Sequence, residues 1–420
     1  MSAFVPKTHA HVNHSDVVDT LRGLALLGIF VVNIQSYLWG LSGPSLGLIN
    51  AESHAWDSAA LLLIATIFEF KTYPIFCFCF GYGFAVLARK WRILGVDGEA
   101  LFARRLKFML VLGIFHGVFI WFGDILARYA IAGFVLKRGF KYGGTSIKTT
   151  RRRAIFWVSI FSGIVIFFSI LGVGGTWLMQ QMSIDQADAN AGQIAAKATH
   201  AIYLSGDYLA QTRQRFADFF WILLGAVLLI PTMLSLFLLG ALAAQSRALT
   251  LAHLPRFKLF WQRVALTAMA IGAPLSVAYG YLQLQAARSA NAADSAEPLR
   301  TAIVGALGEF GPVLAMGYIA IVALQARSPD QPAPWLFKIF APAGRVALSF
   351  YISQSLLMLI FLNGLFPTIT FPYRESQLGL LGLSVVCYTF LLAVAHGLMR
   401  YRIQGPLEYL WRKYTNQKRG

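Results

Sequence analysis

Charge is scarce in this chain. Only 13% of its 420 residues are Asp, Glu, Lys or Arg, where a soluble domain carries about 25%. That excludes an ordinary water-soluble fold. Cysteine is scarcer still. Cys77, Cys79 and Cys387 all fall inside apolar runs and form no C-x-x-C pair, which excludes a disulfide framework and a cysteine-built zinc site. The sequence has no phosphate-cradling Walker loop, no H-E-x-x-H zinc helix and no G-x-G-x-x-G dinucleotide fingerprint. Soluble-type chemistries therefore find no support. Internal repeats and low-complexity tracts are also missing. No small-residue cleavage site follows the first apolar run, and Asp19 and Arg22 interrupt its start, so it reads as a retained span.

What the chain has is apolar length. Hydrophobic residues make up 57% of it, in runs that recur from one end to the other. The pattern predicts an all-α, polytopic membrane bundle. Counting about 20 residues per crossing gives ten spans, near 17–39, 72–87, 105–121, 124–140, 154–179, 219–244, 260–284, 302–324, 346–366 and 379–399. The apolar segment 56–70, closed by Glu69 and Lys71 with Pro74 following, reads as a helix at the outer surface or partly inserted. The net charge of +18 does not mark a nucleic-acid binder, because the basic residues sit in short clusters beside apolar runs. Most of the 36 Lys and Arg fall on one side of this topology, which places both termini in the cytoplasm of a multi-pass inner-membrane protein. Residues 1–16 then form a disordered cytoplasmic tail, 17–402 the bundle with an outer loop at 180–218, and 403–420 an interfacial helix and tail.

The stretch RRLKFMLVLGIFHGVFIWFGDILARYAIAGFVL, residues 104–136, organises the chemistry. Two apolar runs with basic outer ends meet at a Phe122-Gly123-Asp124 break, as a membrane hairpin would. His116 lies roughly 18 Å along the first helix from Arg104, in the outer half of the membrane. Gly113 and Gly117 flank it in a small-xxx-small pattern that lets another helix approach closely. A neutral imidazole there can take and return a proton near pH 7. Asp124 either orients that imidazole, binds hydroxyls of an acceptor, or simply caps the next helix.

In the first span Asp19, Arg22 and Asn33 fall within an arc of about 60°, so one helix face is polar and faces the bundle. Asp19 and Arg22 can pair at i,i+3. They either anchor the span or present Arg22 to a phosphate or carboxylate. Gln354, Glu309 and His396 each stand alone in a late span. Gly81 and Gly83 suggest close helix packing. Arg345 opens the ninth span as a basic anchor. His54, with Trp56 and Asp57, belongs to the first outer loop. His9, His11 and His14 form a weak tract in the tail without acidic partners, so no metal site is expected.

VDTLRGLALLGIFVVNI, YPIFCFCFGYGF, the hairpin block, APAGRVALSFYISQSLL and RIQGPLEYLWRKYT resemble, in that order, blocks of the YeiB-like bacterial membrane proteins, a domain of unknown function. The resemblance covers nearly the whole chain. It implies a helical membrane fold and matches polar positions Asp19, Arg22, Asn33, His116, Gly123, Asp124, Arg345 and Gln354. These proteins are more remotely similar to transmembrane acyltransferases of the heparan-glucosaminide N-acetyltransferase kind, which carry an acyl group from cytosolic acyl-CoA to an acceptor on the far side. The implied reading here has no bound cofactor and acyl-CoA as co-substrate. Arg22 and the basic loops meet its phosphates, with Arg345, Gln354 and His54 as further substrate contacts. His116 serves as base, Asp124 orients it, and Asn33 donates to the oxyanion. The acceptor is a hydroxyl or amine, and membrane lipids and a second copy of the chain stand as expected partners. Two other readings remain. One is a transporter or lipid carrier with a His/Asp relay, against which the lack of a repeat and of paired broken helices counts. The other is a non-catalytic scaffold.

Overall fold

A computed structural model describes residues 16–41, 54–139, 145–181, 189–289, 297–328 and 331–416. The outer loop's segment 182–188 and the three tail histidines lie outside them. The described residues form helices, with no strand among them. In chain order these are α1 (Asp16–Asn33), α2 (Ser36–Trp39), α3 (Ala55–Ile67), α4 (Thr72–Ile93), α5 (Gly98–Phe119), α6 (Leu126–Gly139), α7 (Ile147–Gln181) and α8 (Ala189–Leu204). They continue with α9 (Tyr208–Gln245), α10 (Pro255–Ser289), α11 (Glu297–Gly308), α12 (Gly311–Leu324), α13 (Trp335–Arg345), α14 (Ala347–Leu362), α15 (Gln377–Arg400) and α16 (Pro406–Asn416).

The all-helical membrane fold class is as the sequence predicts. Among the described residues, seven helices are long and apolar enough to cross a membrane, and eight if α13 and α14, bent by 79°, count as one span. With α13 and α14 counted as one span, the two hairpin arms account for the difference from ten. Helix α6 has 14 residues, about 21 Å at 1.5 Å each, short of the roughly 30 Å core. Helix α5 carries Glu99, Arg104, Arg105 and Lys107 in its first half. The segment 56–70, expected at the outer surface or partly inserted, packs into the bundle. Helix α3 buries Asp57, Ala60, Leu61, Ile64 and Ala65 against α10 and α15, and it runs on with α4 as one interrupted span, Ala55–Ile93.

Helix α1 is the axis. It packs against α13, α4, α15 and α14, and 72% of its apolar window is buried, against 6% for α7 at the periphery. A Cβ at Gly23 would strike the carbonyl oxygen of Phe340, and one at Gly344 that of Asp19. The α1–α13 crossing is therefore made backbone to backbone, which only glycine permits.

Two spans are broken, and their breaks touch. Between α3 and α4, Phe70 has φ +61°, a left-handed conformation that an aromatic residue adopts only under strain. Between α11 and α12 the chain breaks at Glu309 and Phe310. The Phe70 ring lies 3.0 Å from where a Cβ of Gly308 would stand, and a Cβ on Gly311 would collide with the Phe70 carbonyl. A broken helix in hydrocarbon must satisfy its freed carbonyls within the protein. Here the Lys71 ammonium donates to Ala65 O at 2.7 Å, the Ser276 hydroxyl to Thr66 O at 2.6 Å, and the Tyr318 hydroxyl to Ile67 O at 3.2 Å. Both interrupted helices still count as single candidate spans, and the pair bent sharply at its break among the described residues is α13–α14.

Candidate functional site

The hairpin closes as its sequence suggests. Helix α5 ends when the Ile120 and Trp121 amides both donate to His116 O, and α6 starts after a turn in which Asp124 Oδ2 accepts from the Ala127 amide at 2.7 Å. The other carboxylate oxygen lies 2.9 Å from His116 Nδ1, and both side chains are fully buried. With the carboxylate accepting, Nδ1 carries the proton, and in the neutral imidazole Nε2 then keeps its lone pair. Nε2 is buried and has no hydrogen-bond partner. Gly113 makes the approach possible, because a Cβ there would collide with the Ala127 amide and come within 2.6 Å of Asp124 Oδ2. Gly117 faces the Phe219 ring in the same way. Asp124 thus does two of the jobs assigned to it: it caps α6 and holds the imidazole.

Two cavities come close to this pair, lined between them by its neighbours Gly123, Ile125 and Tyr351. The first, about 260 Å³, has an aromatic interior that includes Phe76, Phe80, Phe84 and Tyr129, and an end lined by Arg22, Arg105, Arg345 and Arg412. Arg22 bonds Asp19 at 3.2 Å and the Cys79 carbonyl at 3.3 Å. Arg345 pairs with Asp16 at 2.7 Å and approaches Asp19 at 3.5 Å. The Arg105 guanidinium stacks 3.8 Å above the Trp411 ring. Neither Arg105 nor Arg412 meets a carboxylate among the described residues, so this end carries uncompensated positive charge. Glu408 at the same end is already engaged, since it accepts from the Leu348 and Ser349 amides at 2.7 and 3.1 Å and caps α14.

The second cavity, about 240 Å³, is lined by Asn33, Glu69, Phe70, Thr72, Tyr73, Gly123, Arg128 and Glu309 among apolar neighbours. It sits against the two helix breaks. Ile29, Ile125 and Tyr351 line both cavities and form the septum between them. The His116 ring centroid is 5.1 Å from that of Tyr351, and the Tyr351 hydroxyl accepts from the Ile125 amide at 3.4 Å. His116 itself lines neither cavity. The His116–Asp124 pair stands behind the septum, not in the open.

The predicted residues thus fall into groups. Asp19, Arg22 and Arg345 come together at the basic end, and His116 meets Asp124. Asn33 lines the second cavity. Gln354 lines neither cavity, and its buried amide donates to Leu26 O at 3.3 Å, tying α14 to α1. His54 is exposed at the N-cap of α3, away from both cavities. The sequence analysis gave no site role to Tyr351, Trp411, Arg412, Glu69, Arg128 or Glu309. For Glu309 a signal existed: a carboxylate inside an apolar run calls for a reason.

Among the described residues no group of three or more His, Cys, Asp or Glu side chains is placed to hold a metal ion.

Comparison with known proteins agrees with the blocks quoted above. Residues 243–418 match the family described as Protein of unknown function (DUF418). The chain is 27% identical over 423 residues to the uncharacterized protein YxaH of Bacillus subtilis (strain 168), covering 95% of this chain and 93% of that one. It is 25% identical over 418 residues to the uncharacterized protein YeiB of Escherichia coli (strain K12), covering 96% of each. A shorter match, 32% identical over 148 residues, reaches an uncharacterized 39.9 kDa protein of Bacillus acidopullulyticus and covers 34% of this chain and 39% of that one. No solved structure matches. The resemblance to YeiB-like proteins holds over nearly the whole chain.

Proposed function

We propose that this protein transfers an acyl group from cytosolic acyl-CoA to an acceptor reached from the opposite side of a bacterial inner membrane. The observation that carries the reading is the pair of cavities ending at one thin septum beside a fully buried His–Asp pair. The basic end of the first cavity suits the phosphates of CoA, and its aromatic interior suits an acyl chain. The second cavity takes the acceptor.

In this reading the acceptor's N–H or O–H nucleophile attacks the thioester carbonyl. A C–N or C–O bond forms, the C–S bond breaks, and CoA leaves as a thiolate. The proton lost by the acceptor passes to His116 Nε2, which Asp124 holds in the accepting tautomer, and then to the departing thiolate. Tyr351 separates imidazole from substrate, so bound substrates shift its ring or use its hydroxyl as relay. Asn33 donates to the oxyanion.

The test follows CoA release by purified protein in nanodiscs. Wild type should bind acyl-CoA saturably and release CoA, and His116→Ala should lower release by about 10²–10⁴-fold with binding retained. Unchanged release in His116→Ala overturns the assignment. The paired helix breaks at the second cavity favour one alternative, a transporter. It predicts substrate uptake into vesicles without any acyl-CoA.

A further inference from the structure

The second cavity holds two charges that the fold does not use against each other. Glu309 lies at the α11–α12 break, half-buried, and lines the cavity wall. Its carboxylate has no hydrogen-bond or ion-pair partner among the described residues. Arg128 lines the same wall. Its Nε donates to Asp124 O and one Nη to Gly123 O, both at 2.9 Å. Carbonyls orient the guanidinium but do not neutralise it, and no carboxylate pairs with it among the described residues. Tyr73, which lines the same cavity, interacts electrostatically with both Glu309 and Arg128. Glu69, the other acid here, is occupied: it accepts from the Tyr279 hydroxyl at 2.6 Å and sits in the field of Lys71.

Unpaired charges of opposite sign in a low-dielectric wall are costly unless a ligand completes them. A lone cation would leave Arg128 unanswered, a lone anion would leave Glu309 so, and a neutral polyol would answer neither. A ligand with an ammonium and an anionic group a few bonds apart answers both. The remaining lining, Val32, Leu229, Met233 and Phe70, is apolar and accommodates a hydrocarbon part. Phe70 is also the residue held at φ +61°, and such strain concentrates at ligand sites.

We infer that the second cavity binds a primary ammonium joined through a short linker to a phosphate, with Glu309 holding the ammonium and Arg128 the phosphate. That chemistry occurs in a phosphoethanolamine lipid headgroup and in its free, soluble form. Calling this ligand the acyl acceptor rests on the acyltransfer reading; its binding does not.

The experiment uses the full chain in nanodiscs free of phosphatidylethanolamine. Glycerophosphoethanolamine is titrated in solution, and phosphatidylethanolamine is introduced in the lipid. Ethanolamine, glycerol phosphate and glycerophosphocholine serve as comparators, and acyl-CoA binding is measured on the same samples. At least one phosphoethanolamine form should bind. Ethanolamine and glycerol phosphate should each bind at least about tenfold more weakly, and so should the phosphoethanolamine ligand to Glu309→Gln. Glycerophosphocholine, whose ammonium has no N–H, should lose most of the affinity. Arg128 also ties the hairpin turn, so Glu309→Gln, whose carboxylate bonds nothing here, is the decisive variant. Binding by the lipid form alone places the ligand in the bilayer, and binding by both forms admits the free metabolite. The inference is overturned if neither form binds, if Glu309→Gln binds like wild type, or if glycerol phosphate binds as tightly. Loss of acyl-CoA binding alone would sink the acyltransfer reading and leave this site standing.

Discussion

Asp124 serves two donors with one carboxylate, His116 Nδ1 and the Ala127 amide. Asp124→Ala strands both in a buried site. It should cost about 2–4 kcal/mol, read as a lower unfolding temperature in detergent. Asp124→Asn keeps an acceptor oxygen and should cost less. A wild-type melting curve for Asp124→Ala would show that the pair does not hold the hairpin. This much was legible in the sequence, because His116 and Asp124 lie eight residues apart across a tight turn and short-range geometry nearly fixes their meeting. Arg128 was not legible. Its role comes from reaching back to the carbonyls of Asp124 and Gly123, and an arginine in an apolar run gives no hint of that. The polar face of α1 was read correctly for Asn33, which lines a cavity. Gln354 shows the opposite case: its buried amide serves helix packing.

At the scale of elements, the broken spans depend on side chains that close them. Lys71 is 2% exposed, with its ammonium on Ala65 O and 5.1 Å from the Tyr279 ring centroid. Lys71→Met leaves that carbonyl unanswered and removes the positive neighbour of Glu69. A loss of about 3–5 kcal/mol is expected, against little change for Lys107→Met at an exposed position. Equal melting temperatures for the two variants would mean that the break needs no such cap. The sequence marked this place only as the end of an apolar run at Glu69 and Lys71. Breaks in membrane helices are usually sought at Gly or Pro, but here the left-handed residue is a phenylalanine. The glycines that accommodate it, Gly308 and Gly311, lie more than 200 positions away. The cavities were illegible for the same reason. Their walls are assembled from α1, α4, α6 and α14, joined by α5, α13 and α16 at the first cavity and by α9 and the α11–α12 break at the second, and no local pattern encodes that assembly.

For the whole molecule, the start of α1, the α13–α14 bend and α16 gather at one end. Asp16 pairs with Arg345, Glu408 caps α14, and the Trp411 indole donates to Arg105 O at 3.3 Å. The hairpin turn and the start of α9 meet at the other end, where the Tyr208 hydroxyl donates to Phe119 O at 2.8 Å. The three cysteines are buried, so introduced thiols can report sidedness. In the orientation the proposed function requires, Lys413→Cys should react with an impermeant thiol reagent only once the cytoplasmic face is opened, and Arg213→Cys should react in intact cells. Labelling of both from one side would contradict this arrangement. The septum of Ile29, Ile125 and Tyr351 has an electrical consequence. With water in both cavities, the membrane voltage falls mainly across those three side chains instead of across the full hydrocarbon thickness. A charge crossing them then does nearly the whole electrical work, about 2.3 kcal/mol per 100 mV. In the proposed two-sided arrangement the same three residues would therefore act as the insulator between the two cavities.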